Sequence, residues 1–364
     1  MPFFIGAAIL TVLGVIGWLI FRSLRPSYAK TPLPPCCFED IDAVPVGGYS
    51  YAIPVSAYWY PIFRASGESS PDTLPTLFDQ VQALHPELSL VPYVTETMEG
   101  AIASIQSGHT DFAIVPLTDP LPGDITGNII AYDSLVPVVA FNYPDRTKGL
   151  PDALNGKIST TELEQLYTGE IDNWQQLSSA DLTVKRYWVD DPTAQGIFAR
   201  RVFDSPEEFE SPDNESFISS LINVEQPDAL PTLTMLRWIL QDFENTTIGS
   251  IGIAPLSQVF GQCSVYPLSL TEKRELVAPF VFSNGKAVKP EHDLCDRKGS
   301  YQPNAEALRD GTYPLAYPLA IIYPFDNSRS PIGKKMAELL LTKESQTYLE
   351  SLGMVSAYPL SDDQ

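Results

Sequence analysis

Residues 154–177 read LNGKISTTELEQLYTGEIDNWQQL. Ser159, Thr160 and Thr161 make the polar opening of a helix, where hydroxyls suit the unsatisfied amides. Leu163, Leu166 and Tyr167 recur at helical spacing and give it an apolar face. Thr168-Gly169 ends it, because glycine accepts the left-handed conformation of a helix terminus, and Trp174 follows in a turn. The same grammar continues outward. Leu74, Leu77, Phe78, Val81 and Leu84 mark one helical face, and Leu88 to Val94 read as a strand. Met98, Ile102 and Ile105 mark a second helix stopped by Gly108, before the buried strand Asp111–Val115. Near the C-terminus Met336, Leu339, Leu340, Tyr348, Leu349 and Leu352 predict one long amphipathic helix closed by Gly353. Core packing explains each stripe, and the alternation of strand and helix argues an α/β fold.

At 364 residues the chain holds one large domain or two of medium size. Its 33 prolines favour turns and short elements. With 23 Lys and Arg against 45 Asp and Glu, the net charge is −22. That balance argues against the basic face a nucleic-acid partner requires. It also repels free anions at long range, so a bound anion has to be held by local hydrogen bonds. There is no internal repeat. The acidic, proline-bearing stretch 204–231 reads as a solvated loop around one short helix.

Residues 3–21, FFIGAAILTVLGVIGWLIF, carry no charge and are long enough to span a bilayer. A membrane anchor within residues 1–21 is expected, with a cleaved signal as the rival, although no A-x-A site follows promptly. Residues 22–47 form a proline-rich tether. Arg22, Arg25 and Lys30 follow the span, and by themselves would hold the rest of the chain in the cytoplasm. Adjacent Cys36 and Cys37 are not expected to pair with each other. Cys263 and Cys295 flank an insertion that a disulfide would close, or are two separate buried thiols. With no C-x-x-C and three histidines, neither a metal site nor a cofactor is expected.

Several segments together resemble the phosphate-type periplasmic solute-binding proteins. Leu154 to Trp174 matches that family's helix-to-Trp segment. Tyr49 to Pro61 (YSYAIPVSAYWYP) resembles its first strand and ligand loop. Tyr93 to Phe112 (YVTETMEGAIASIQSGHTDF) is similar to its second loop, helix and following strand. Asp133 to Phe141 (DSLVPVVAF) and Tyr313 to Ile322 (YPLAYPLAII) resemble its two crossover strands. Ile248 to Pro255 (IGSIGIAP) resembles its "GaIGY" strand, and Leu341 to Pro359 its last helix and tail. The resemblance spans nearly all of residues 48–360. It implies two α/β lobes joined by two crossover strands, the periplasmic-binding-protein-like II arrangement. Residues 48–136 plus 313–364 would form lobe one and 137–312 lobe two. It also implies export, against the charge rule, so that the globular part would be periplasmic or extracellular.

The family holds an oxyanion with amides and hydroxyls at loop-to-helix junctions, where unsatisfied N–H groups and the positive dipole end converge. Three junctions fit. Ser56 and Ala57 lie in the first, Thr95, Glu96 and Thr97 in the second, and Thr193, Ala194 and Gln195 in the third. The departures are specific. In the family's "R-x-x-x-SGT" loop the arginine falls at Val189 or Trp188, and glycine and threonine become Ala194 and Gln195. The aspartate of its "SDAPL" stretch falls at Pro116 of VPLTD. A missing guanidinium removes strong bidentate bonds to an oxyanion. Glu96, Glu99, Asp190 and Asp191 either cap helices or make the pocket acidic and select a cationic or neutral ligand. Ser56 and Thr95 are ligand hydroxyls or plain caps. Tyr58 and Trp59 face the cleft or pack in the core.

Three classes of function remain open. One is a membrane-tethered solute-binding protein taking a small molecule or inorganic anion and delivering it to an ABC permease or a membrane signalling partner. Another is an interaction module that keeps the two-lobed fold without a ligand. The third is an enzyme, for which no G-x-S-x-G elbow, P-loop or H-E-x-x-H motif speaks. No catalytic residue is assigned.

Overall fold

The computed structural model describes residues 34–54, 58–65, 75–141, 148–203, 228–244, 247–273, 275–326 and 329–360. The apolar run 3–21, the tether as far as residue 33, and Ser56 and Ala57 lie outside these, as does most of the acidic stretch, residues 204–227. Among the described residues no helix is long and apolar enough to cross a membrane. Residues Pro35–Gln364 form one compact unit.

Fifteen strands are described. They are β1 Gly47–Pro54, β2 Leu88–Thr95, β3 Phe112–Pro116, β4 Ile125–Ala140, β5 Lys157–Ser159, β6 Thr183–Val189, β7 Asp228–Leu230, β8 Ile248–Pro255, β9 Val265–Pro267, β10 Ser269–Glu272, β11 Glu275–Val277, β12 Phe280–Phe282, β13 Tyr301–Pro303, β14 Ala316–Pro324 and β15 Val355–Ser356. The main sheet runs β2-β1-β3-β14-β4-β8-β6-β7, with β15 and β9 also paired to β4. Strands β10, β11 and β5 form a second sheet, and β12 and β13 a third.

The long strand β4 organises the molecule. Its Ile125–Ser134 portion pairs with β14, and its Leu135–Val139 portion pairs with β8. In the first half β1 lies parallel to β2 and β3, and in the second β6 lies parallel to β7 and β8. Register shows where these sets end. Pro116, last in β3, pairs with Leu319, which pairs with Ala131 of β4. Pro255, last in β8, pairs with Leu135. The two sets therefore run toward each other and stop on either side of Tyr132–Ser134. Carboxyl ends of parallel strands at such a change of partner are where α/β sheets place ligands.

The segment 154–177 folds as its pattern implies. The helix Thr160–Thr168 opens with Ser159, whose hydroxyl accepts from the Glu162 amide at 3.1 Å while Glu162 accepts from the Ser159 amide at 2.7 Å. This reciprocal pairing satisfies two otherwise orphaned donors. Gly169 ends the helix at φ 84°. Trp174 is fully buried, and its indole N–H donates to the Gly249 carbonyl at 2.8 Å. A Cβ on Gly249 would lie 2.6 Å from the indole ring, so β8 needs glycine there.

Two expectations are corrected. The C-terminal stripe is two helices, Ile332–Leu340 and Lys343–Ser351. Thr342 caps the second by accepting from the Ser345 amide at 3.2 Å, and Gln346, wholly buried, donates to the carbonyls of Ile130 and Leu340. A break at Leu341–Thr342 turns the chain so that both apolar faces pack inward, which one straight helix could not do. Cys36 and Cys37 are bonded to each other rather than left unpaired, next to the turn Phe38–Asp40. The structure also bonds Cys263 to Cys295.

Candidate functional site

Asp133 lies on β4 where its partner changes, and it is 1% exposed. One carboxylate oxygen accepts from the amides of Ser134 (2.7 Å) and Ser257 (3.2 Å), and the other from the Tyr58 hydroxyl. Tyr317, the β14 partner of Asp133, donates its hydroxyl to that of Tyr58 at 3.0 Å. Burial pushes the Asp133 carboxyl up to about 6, and the bonds from Ser257, Tyr58 and Ser134 only partly offset it. Burial, reinforced by Asp133, raises Tyr58 well above an ordinary phenol.

A second carboxylate stands close by. Asp191 caps the helix Pro192–Val202, accepting through Oδ1 from the amides of Thr193 (2.9 Å) and Ala194 (3.3 Å). Its other oxygen, Oδ2, is buried and has no hydrogen-bond partner. Burial pushes this carboxyl up to about 6 as well, against the lowering effect of the Ala194, Thr193 and Tyr58 amides. Tyr58 therefore links the two acids, with its amide toward Asp191 and its hydroxyl on Asp133. Tyr317 also feels both charges.

Asp191 Oδ2 is not alone in lacking a partner. Ten buried side-chain polar atoms among the described residues lack a hydrogen-bond partner, and five of the ten are Thr95 Oγ1, Ser134 Oγ, Asp191 Oδ2, Thr193 Oγ1 and Ser257 Oγ. The hydroxyls of Thr193 and Ser257 lie against the Asp191 and Asp133 carboxylates and lower their pKa values, but outside good hydrogen-bonding geometry. Thr95 ends β2, opposite Pro54 at the end of β1. Orphaned buried polar groups are costly, so those lying against the two carboxylates call for an explanation. Two open hollows, of 550 Å³ and 290 Å³, lie elsewhere, beside Cys36 and beside Asn155. Neither is lined by any of these orphaned groups.

The residues singled out in sequence are distributed unevenly. Thr193 and Ala194 lie at the Asp191 cap, and Gln195 folds back to donate to the Val189 carbonyl at 2.9 Å. Thr95 is buried, but Glu96 and Thr97 are exposed. The Thr97 hydroxyl caps the helix Met98–Gln106 by accepting from Gly100 at 3.1 Å. Trp59 is core, 1% exposed, so of the two aromatics it is Tyr58 that joins the polar cluster. Asp133, Ser134, Ser257 and Tyr317 escaped sequence reading as site residues. The one available signal was an acid opening the otherwise apolar run 134–141. Pro116, where the resemblance puts the family aspartate, is buried in β3, and the nearest buried carboxylate along the main sheet is Asp133 on β4, with β14 between the two strands.

A separate ionic contact spans the junction. Arg200, on the helix Pro192–Val202, pairs with Asp119, lies 3.4 Å from Thr118 Oγ1 and 3.9 Å from Glu99. Thr118 and Asp119 follow β3, and Glu99 lies on the helix after β2. The contact therefore ties elements of the second half of the sheet to elements of the first.

A family model described as a PBP superfamily domain matches residues 56–344. The chain belongs to the PBP superfamily. Among solved structures, a phosphate ABC transporter substrate-binding protein with bound phosphate from Clostridium perfringens aligns with a TM-score of 0.54 at 15% identity, covering 86% of this chain and 100% of that one. An ABC-type phosphate transport receptor from Vibrio cholerae gives 0.53 at 15% identity, covering 86% and 100%. PstS from Borrelia burgdorferi gives 0.51 at 13% identity, covering 85% and 98%. At these identities the likeness establishes a shared fold. A search of curated proteins finds no significant match.

Proposed function

We propose that this chain is a membrane-tethered solute-binding protein that captures a small ligand where the two halves of its sheet meet. The observation that carries this reading is the concentration of buried, partnerless polar atoms around Asp133, Tyr58 and Asp191. Residues 48–136 with 313–364 act as one lobe and 137–312 as the other. β4 and β14 serve as the hinge, and the lobes close over the ligand. Thr95 and Thr193 contribute hydroxyls, and Ser56 and Ala57, outside the described residues, are further ligand contacts. The apolar run 3–21 anchors the protein, the globular part faces the periplasm or exterior, and the partner is an ABC permease or a membrane signalling protein. The protein works by binding, not by turnover.

A thermal-shift screen of oxyanions, amino acids and small organic molecules tests the reading. A ligand that raises the melting temperature, with the gain lost in Thr193→Val, supports it. A screen in which no compound shifts the melt overturns it.

A second reading is favoured by two contacts. The Tyr58 hydroxyl already occupies Asp133, and Arg200 already bridges the junction. A protein closed by its own side chains would serve as an interaction module. Co-purification of a stoichiometric membrane partner, together with a silent ligand screen, would favour that alternative.

A further inference from the structure

We propose that the ligand of this cleft is a small protonated amine, held by Asp191 as its counter-ion with the hydroxyl of Thr193 as a further acceptor. The inference rests on the reading of the cleft as a ligand site and narrows it to one chemical class.

The case begins with donors and acceptors. Asp191 Oδ2 is an acceptor only, and it is buried without a partner. Asp133 is already satisfied by two amides and a phenol, so it adds negative charge without needing another donor. The Thr193 and Ser257 hydroxyls, which lie against the two carboxylates, accept as readily as they donate. The described salt bridges of Lys and Arg go elsewhere, to Asp242, Glu99, Asp119, Glu291 and Glu338. A bare oxyanion brought here would meet two like charges with no guanidinium to offset them, because Val189 and Trp188 stand where the family places its arginine. A protonated amine reverses every sign. It donates charge-assisted bonds to Asp191 and compensates the buried acid pair. The aromatic Tyr58 and Tyr317 beside the carboxylates add a surface that favours cations. At long range a net charge of −22 draws cations toward the protein and turns anions away.

The test is isothermal titration of the full chain in detergent with ethanolamine, putrescine, sodium phosphate, sodium sulfate and glycerol, repeated on Asp191→Asn. Asparagine caps helices as well as aspartate does, so this variant removes the charge and keeps the fold. The expected result is saturable binding of an amine, weakened at least tenfold by Asp191→Asn, with no phosphate or sulfate binding. Thr193→Val, which keeps the charge, should weaken amine binding several-fold and reports should Asp191→Asn misfold. If phosphate or sulfate binds and the amines do not, the amine assignment is wrong while the ligand site stands. Equal amine affinity in both Asp191→Asn and the parent chain would also overturn it. If only glycerol binds, the ligand is an uncharged donor and the counter-ion role fails. If no probe binds and the broader screen is silent too, the ligand site itself is refuted.

Discussion

Two buried polar junctions in this molecule differ in physics. At the first, Trp174 meets β8. Its indole donates to Gly249, its ring fills the space a Cβ would need, and the helix before it has both ends capped. At the second, Tyr58 runs between Asp133 and Asp191. There two carboxylates are displaced from their ordinary range, and hydroxyls around them lack partners. A junction whose polar atoms are all satisfied stabilises the fold and has nothing left to offer a guest. A junction with surplus buried acceptors holds unspent binding capacity.

The contrast can be broken most forcefully at the first junction. Trp174→Ala removes a fully buried side chain and orphans the Gly249 carbonyl. We expect a loss of about 4 kcal/mol in urea unfolding, the range of large aromatic truncations. A loss below about 1 kcal/mol would mean that Trp174 is not the anchor described.

The second junction should respond to pH in the opposite sense from ordinary surface carboxylates. Both acids have folded values near 6, above the usual unfolded value. Their contribution to stability is fully present below the unfolded pKa and is lost as pH rises through about 6. Each acid accounts for up to about 3 kcal/mol of that loss. Asp191→Asn should therefore narrow the difference in unfolding free energy between pH 4.5 and pH 7.5, read from urea titrations at both. An unchanged difference would show that Asp191 ionises normally.

Tyr58→Phe sharpens the same point on a smaller scale. It strips one donor from Asp133, at a cost of about 1–3 kcal/mol at neutral pH. It should also raise the Asp133 pKa further, because the phenol bond lowers it. A 13C-carboxyl NMR titration would show the midpoint moving up, and a downward move would contradict the assigned bond.

The smallest effect belongs to Arg200→Ala. The pair is partly exposed, so its loss should change stability by less than about 1 kcal/mol. Its position across the junction gives it another readout. Spin labels on the helices Met98–Gln106 and Thr232–Phe243 should show a broader distance distribution in the variant. An unaltered distribution would reduce Arg200 to a surface charge pair.

Much of the scaffold was legible because it is written in local rules. The capping of Ser159 by Glu162, the turn at Gly169 and the apolar stripes depend on residues within one or two turns of each other. The exception at Thr342, where one expected helix proved to be two, has the same cause in reverse. Both segments carry helical spacing, and only packing against β4 through Gln346 reveals the break. The site was less legible. Thr95 and Thr193 could be flagged by their places at helix starts, but Asp133, Ser257 and Tyr317 come from strands and turns far apart in the chain.

The sequence alone determined an α/β chain, a strongly negative net charge and an apolar N-terminal run, since each of these follows from residue identity and short spacing. Only the tertiary structure decided that β4 changes partners at Asp133, and that Tyr58 joins this acid to Asp191. Those facts arise from registers between strands more than a hundred residues apart, and burial, which sets the charge state of both carboxylates, exists only once the chain has folded around them.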